Sequence, residues 1–127
     1  MDANLNRSKE GLRVCEDISR FILNDTSATG TFKSLRHQIL SALPHLKYKE
    51  LIEARDINGD VGRRSTRPSE LTRRNVADIF YANAQRTKES IRVLEEFSKL
   101  LNKQSSDKLK RIRYKFYDVE KKIIERL

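Results

Sequence analysis

The sequence predicts an all-α fold: a four-helix arrangement built from two repeated helical hairpins with approximate internal two-fold symmetry. Three observations carry that expectation. The 127 residues are 35% charged and 37% apolar, with 4 Gly and 2 Pro, a profile of helices with a solvated outer face rather than of sheets. Apolar residues recur at helical rather than alternating spacing. The stretch ANLNRSKEGLRVCEDISRF (Ala3 to Phe21) returns as ANAQRTKESIRVLEEFSKL (Ala82 to Leu100), 79 positions later and without a gap. The length suits a single domain over 1–127 with one core. It divides into a first repeat over about residues 3–54, a central loop over 55–68 and a second repeat over about 69–127.

On a wheel of about 100° per residue, Ala3–Leu23 gathers Leu5, Leu12, Val14, Cys15, Ile18, Phe21, Ile22 and Leu23 into one wide apolar arc. Asn6, Lys9, Glu10, Arg13, Glu16, Asp17 and Arg20 lie opposite, the pattern of an amphipathic helix packed against others. The turn-rich run NDTSATG (Asn24 to Gly30) ends it. A second helix fits Thr31 to Leu43, with Phe32, Leu35, Ile39 and Leu43 inward and Pro44, which lacks the N–H to continue, closing it. A short helical piece follows at Tyr48–Ala54. RDINGDVGRRSTRP (Arg55 to Pro68) has no helical period and concentrates charge, Gly and Pro, so it reads as a long loop, the usual place for function in a small domain. Ser69 to Leu101 reads as one long helix, with Val76, Ile79, Phe80, Ala84, Ile91, Leu94, Phe97 and Leu101 inward. A polar turn at Asn102–Asp107 precedes a last helix carrying Leu109, Ile112, Phe116, Val119, Ile123 and Leu127.

The helices after the duplicated stretch correspond as well: FKSLRHQI (Phe32 to Ile39) matches LKRIRYKF (Leu109 to Phe116), 77 positions apart. The repeated unit is therefore a hairpin, and two hairpins most simply form an antiparallel four-helix arrangement. Packing explains most of what recurs. Val14 and Val93 are core positions, and Cys15 stands where the second copy has Leu94, so it reads as a small apolar filler rather than a nucleophile. His37 corresponds to Tyr114 and reads as structural, and His45, after Pro44, reads as exposed. Asn4 and Arg7 resist this account: they fall inside the apolar arc of the first helix, as Asn83 and Arg86 do in the long helix. An arginine there is costly unless paired or liganded. Two readings stand side by side: a buried network to Glu16 or Glu95, or an arginine lining a cleft between the hairpins, where its planar fork grips phosphate oxygens.

A net charge of +9 calls for an anionic partner, and nucleic acid, anionic lipid and phosphorylated small molecules all qualify. The 27 basic residues are interleaved with 18 acidic ones, and only KLKRIRYKF (Lys108 to Phe116) concentrates them. A solvated helix face is the favoured reading of that run over a nucleic-acid groove. No segment approaches the roughly 18 consecutive apolar residues of a membrane span, and no basic stretch followed by an apolar run marks a signal peptide. A single cysteine suits a reducing cytoplasm, so the sequence points to a soluble cytoplasmic protein. A homodimer is compatible with it.

The glycine-rich phosphate loop, the dinucleotide fingerprint, His/Cys metal clusters and the nucleophile elbow are all absent from the sequence. The central loop nevertheless has phosphate chemistry. Asp56 and Asp60 offer hard carboxylate oxygens of the kind that suit Mg²⁺. Gly59 and Gly62 let the backbone approach a ligand, and Arg55, Arg63, Arg64 and Arg67 supply neutralising charge. Phosphoryl transfer asks for positioning and charge stabilisation more than for a reactive side chain.

ANLNRSKEGLRVCED, ARDINGDVG, NAQRTKESIRVLEEFSK and RYKFYDVEK together resemble a family of small helical domains of thiamine biosynthesis, often found in front of thiamine-phosphate synthase in fused bacterial proteins. The resemblance spans almost the whole chain, and the first two motifs are specific in wording and order. It implies an ATP- and Mg²⁺-dependent kinase that converts 4-amino-5-hydroxymethyl-2-methylpyrimidine phosphate to the diphosphate, with thiamine-phosphate synthase as fusion or partner. The synthase barrel is absent from these 127 residues, and the Arg63–Arg64 pair after Gly62 is not part of the family pattern. With that substrate, Arg7 and Arg86 would grip phosphates, and Asn4, Asn6 and Asn83 would orient substrate oxygens or the aminopyrimidine edge. Asp56 and Asp60 would bind the metal, Arg55 and Gly62 would line the substrate, and Glu10 and Glu89 would orient the two arginines. The rival readings are a non-catalytic module that binds a phosphorylated ligand or docks onto a synthase, and a helical nucleic-acid binder using Lys108–Lys115.

Overall fold

A computed structural model describes residues 1–62 and 72–127. These residues form helices and no strand: α1 (Asp2–Phe21), α2 (Thr26–Ser41), α3 (Tyr48–Glu53), α4 (Val76–Ser98) and α5 (Lys103–Ile124). The all-α expectation holds. The hairpins α1–α2 and α4–α5 close a ring in which α1 packs on α2 and α4, and α5 on α4 and α2. No described helix is long and apolar enough to cross a membrane.

The helix starts differ from the sequence-based expectation because of caps. Asp25 accepts from the Ala28 N–H at 2.8 Å, so α2 begins inside the run read as a turn, with Asn24 in the left-handed region at φ 51°. Asn102, standing 77 positions later, caps α5 by accepting from Gln104 and Ser105, so that helix starts at Lys103. An Asp or Asn in this place satisfies N–H groups the helix cannot pair itself, worth about 1 kcal/mol each. The long helix is shorter than expected: Asn75 caps α4 through the Asp78 N–H, Thr72 to Asn75 are not helical, and α4 ends at Ser98. The expected helical stretch Ser69–Leu71 lies outside the described residues.

Three phenylalanines fill the centre of the ring. Phe32 meets Phe80 edge-on at 6.3 Å and Phe116 at 5.9 Å between centroids. Leu12, Cys15, Leu35, Ile39, Ile91, Leu94, Leu109 and Ile123 pack around them, fully buried. Each Leu, Ile or Phe buried so contributes about 1.5–3 kcal/mol. Six residues assigned inward are not covered: Phe21, Ile22, Ile79, Phe97, Leu101 and Leu127 are exposed. Their apolar character follows the helical period, but the period alone does not bring them cover.

An ion-pair cluster stitches each hairpin. Buried Glu16 receives Arg36 of α2 at 3.1 Å and Arg13 of its own helix at 3.5 Å. Buried Glu95 receives Arg113 of α5 at 2.9 Å and Arg92 at 2.7 Å. These triads occupy equivalent positions in the two repeats. Arg113 adds a bond to the Tyr117 hydroxyl at 2.9 Å, and its hydrogen bond to Glu95 holds its pKa above the ordinary arginine value. The carboxylates anticipated as partners of Arg7 and Arg86 are thus committed elsewhere.

Between the hairpins α1 and α4 touch closely. A Cβ on Gly11 would stand 2.3 Å from Thr87 Oγ1 and 2.8 Å from the Asn83 carbonyl oxygen. Only glycine permits that approach.

Candidate functional site

The first turn of α1 and the chain leaving α3 meet at one end of the bundle. Asp2 opens α1, where a carboxylate complements the unpaired N–H groups and the positive end of the helix dipole. Arg55, just past α3, donates to it through Nε and, at 3.0 Å, through Nη2. Asn6 donates to the same carboxylate at 3.2 Å. The Arg55 bond leads the causes that hold Asp2 below its ordinary pKa, against the opposing effect of burial.

The loop then makes two successive side-chain turns. Asp56 Oδ1 accepts from the Gly59 N–H at 2.8 Å, and Asp60 Oδ1 from the Gly62 N–H at 2.9 Å. The Asp56 carboxylate folds over Gly59 so closely that a Cβ there would lie 2.3 Å from Oδ2. Asp2, Arg55, Asp56 and Asp60 rim a groove of about 510 Å³ whose apolar side is Ala3, Leu51, Ala54 and Ile57. The structure therefore brings together Arg55, Asp56 and Asp60 of the loop residues picked from sequence, while Gly62 does not border the groove; it adds Asp2, Leu51 and Ile57, which sequence reading missed. Asp2 carried one signal, an acid in a helix first turn; nothing in the sequence announced that Arg55 would reach it.

The paired Asn and Arg positions behave differently. Asn4, Arg7 and Gly11 share a face of α1 at i, i+3 and i+7, and Asn83 and Arg86 share the matching face of α4. Since Gly11 abuts Asn83 and Thr87, both arginines flank the α1–α4 seam. The buried-arginine reading is corrected: Arg7 and Arg86 are exposed, and among the described residues neither forms an ion pair. They sit at the margin of the apolar arc, where a long side chain carries its charge out to water. Neither lines the groove at Asp2. Asn4 and Asn83 are half-buried, and Asn83 Nδ2 donates to the Ile79 carbonyl at 2.8 Å. Glu10 and Glu89 do not hold the arginines; Glu89 accepts from Gln85 at 2.7 Å instead.

Cys15 is fully buried and burial pushes its thiol up to about 12, which suits the filler role and not a nucleophile. His37 is exposed rather than packed, and His45 is exposed as expected. Arg63, Arg64 and Arg67 lie outside the described residues. Among the described residues no three His, Cys, Asp or Glu gather as a metal cluster. Asp56 and Asp60 each keep an oxygen outside their turn hydrogen bond, on an exposed rim. Such a donor set fits Mg²⁺, which retains several waters and needs only one or two carboxylates.

Residues 1–122 match the ThiD2 family. A thiamine-phosphate synthase of Rhodopirellula baltica is 38% identical over 117 residues, covering 92% of this chain and 31% of that protein. One from Nostoc sp. is 39% identical over 120 residues, covering 94% of this chain and 33% of that protein. A Synechocystis sp. thiamine-phosphate synthase is 37% identical over 132 aligned positions, covering 100% of this chain and 37% of that protein. The chain spans about a third of the length of these curated relatives. No solved structure matches it.

Proposed function

The chain belongs to the ThiD2 family, and on that premise we propose that it phosphorylates 4-amino-5-hydroxymethyl-2-methylpyrimidine phosphate to the diphosphate with ATP. In this reading it serves thiamine biosynthesis as the N-terminal portion of a thiamine-phosphate synthase, or as its partner. The observation that supports it most is the groove at the start of α1, where Asp56 and Asp60 face an apolar wall beside the Asp2–Arg55 pair. That wall takes a pyrimidine ring, and a carboxylate oxygen on the rim accepts from its amino group. Asp56 and Asp60 would hold Mg²⁺ through their outer oxygens; when bound, the ion supplies charge neutralisation between the two phosphates. Arg7 and Arg86, which do not line that groove and form no ion pair among the described residues, would meet phosphate oxygens that extend to the α1–α4 seam. The Gly62 N–H keeps the Asp60 turn closed, and Asn4, Asn6 and Asn83 set the polar surroundings of the two helices.

An oxygen of the acceptor phosphate, already anionic near neutral pH, forms the bond to the γ-phosphorus of ATP. The bond to the bridging oxygen breaks and ADP leaves. No general base is required, so a site of charges and backbone turns suffices. The test is ADP release by the purified chain with Mg²⁺, as a function of added pyrimidine monophosphate. Stoichiometric release is expected, and Asp56→Ala should abolish it while the helical signal is kept; no substrate-dependent ADP would overturn the kinase. One observation favours a non-catalytic phosphate-binding module instead: Arg55 spends its fork on Asp2. Such a module would bind the pyrimidine phosphate without turnover.

A further inference from the structure

The α2–α5 side of the ring carries a groove of different character. Hollows of about 220, 230 and 400 Å³ run along it, and Lys115 borders all of them. One wall is the edge of α5 nearest α2, with Lys108, Arg111, Lys115 and Lys122. At 1.5 Å per residue they extend over about 21 Å. The other wall is α2, with Ser27, Thr31, Ser34, Gln38 and Ser41 and no charge. Small residues, Ala28 and Ala42, leave the floor low.

The walls are equivalent positions of the repeat. Thr31, Ser34 and Gln38 stand where the second copy has Lys108, Arg111 and Lys115. Two cationic walls would repel; one neutral and one cationic wall close together and leave the charge facing the groove. The KLKRIRYKF run splits accordingly: Lys108, Arg111 and Lys115 border the groove, while Arg113 is bound to Glu95. Arg13, Arg36, Arg92 and Lys88 by contrast are held in ion pairs. Lys108, Lys115 and Lys122 form no ion pair among the described residues, and Arg111 meets Asp107 of its own helix. Of the groove carboxylates, Asp25 is taken by Arg126 and the Ala28 N–H, leaving Asp118 against four cations. Thr31 donates back to Ser27 and Gln38 donates to Ser34, so the Ser27 and Ser34 hydroxyls are the donors α2 adds.

We propose that this groove binds an oligophosphate chain, free or as the tail of a nucleotide, with Lys115 as the central contact between Lys108–Arg111 and Lys122. Among the described residues no aromatic side chain borders these hollows, so the described groove lacks the stacking platforms by which proteins hold single-stranded nucleic acid.

The experiment is calorimetric titration of the chain with sodium tripolyphosphate at low salt, and then with ATP and AMP. Saturable tripolyphosphate binding is expected, weakened by about tenfold or more in Lys115→Glu and in the Lys108→Ala/Lys122→Ala double variant. Lys33→Glu, the same charge change on the exposed face of α2 away from the groove, should leave affinity within about twofold. ATP binding like tripolyphosphate while AMP does not would assign the nucleotide tail as a ligand; tripolyphosphate alone would assign the free chain. Equal losses in Lys33→Glu and Lys115→Glu would reduce the effect to net charge and overturn the site. So would orthophosphate binding as tightly as tripolyphosphate, or a single-stranded oligonucleotide displacing it through Lys115. The readout is binding without turnover, so it stands or falls independently of the kinase assay.

Discussion

Replacing Gly11 with alanine tests the seam between the hairpins, which both candidate arginines flank. In a helix interior the change alone favours folding by about 0.5–1 kcal/mol, because glycine loses more backbone entropy. Here the added methyl would lie 2.3 Å from Thr87 Oγ1 and 2.8 Å from the Asn83 carbonyl oxygen. Neither atom can yield easily. The Thr87 hydroxyl is buried and donates to that same carbonyl at 2.8 Å, and the carbonyl belongs to the α4 backbone. Helix α1 must therefore retreat, and a gap of about 0.5–1 Å forfeits a quarter to a half of each contact along the seam. Overpacking of this kind costs about 1–3 kcal/mol, so after the propensity gain the net loss should be about 1–2 kcal/mol. For a chain of this size that lowers Tm by about 4–8 °C. Thermal and urea unfolding followed by far-UV circular dichroism measure it. Thr87→Ala in the Gly11→Ala background removes the nearer obstacle but not the carbonyl, so it should restore part of the loss. A Gly11→Ala protein as stable as the parent, or more so, would show that the helices do not touch there.

The remaining predictions concern charge. Glu95→Gln strands Arg113, whose side chain is only 13% exposed, and should cost about 3 kcal/mol. Glu16→Gln strands Arg36, which is 22% exposed, and should cost less, so the urea midpoints should rank parent, Glu16→Gln, Glu95→Gln. Asp2 and Asp25 both have folded pKa values below their ordinary ones, through Arg55 and the Ala28 N–H respectively. Depressed carboxylates stabilise the fold above about pH 4, and that contribution is lost as pH falls through the lower folded value. The unfolding midpoint should therefore drop on acidification below about pH 4. Asp2→Asn should flatten part of that drop at a neutral-pH cost of no more than about 1 kcal/mol. A midpoint unchanged down to about pH 2 would contradict both pairings.

The fold was legible in the sequence because helical period and duplication are local signals. The core list follows from them: Phe32, Phe80 and Phe116 fall on the apolar stripes and meet in the middle. The caps were legible in principle, since Asp25 and Asn102 stand at the matching offset, but a run as rich in turn residues as NDTSATG hides a helix start. Arg7 shows the limit of a wheel. It gives the angle of a residue, not whether that angle is the centre or the margin of the buried arc, and a long side chain at the margin escapes to water. Phe97 shows a second limit. It corresponds to Ile18, yet Ile18 is 5% exposed and Phe97 55%, so equal places in the repeat do not have equal cover. The Asp2–Arg55 pair joins residues 53 positions apart and has no sequence periodicity to announce it.

What the repeats share and where they part company divides structure from chemistry. The triads Arg13–Glu16–Arg36 and Arg92–Glu95–Arg113 recur, as do the caps Asp25 and Asn102. These hold each hairpin in register, a task both copies face equally. The departures are concentrated elsewhere. Helix α3 and the Arg55–Gly62 loop follow the first hairpin, and with the start of α1 they build the groove at Asp2. Lys108, Arg111 and Lys115 replace the neutral Thr31, Ser34 and Gln38 only in the second, and they charge the groove at α2. A duplicated scaffold with both copies intact would present the same surface twice. The two grooves thus lie where the repeats differ, while the triads and caps that hold each hairpin in register are shared.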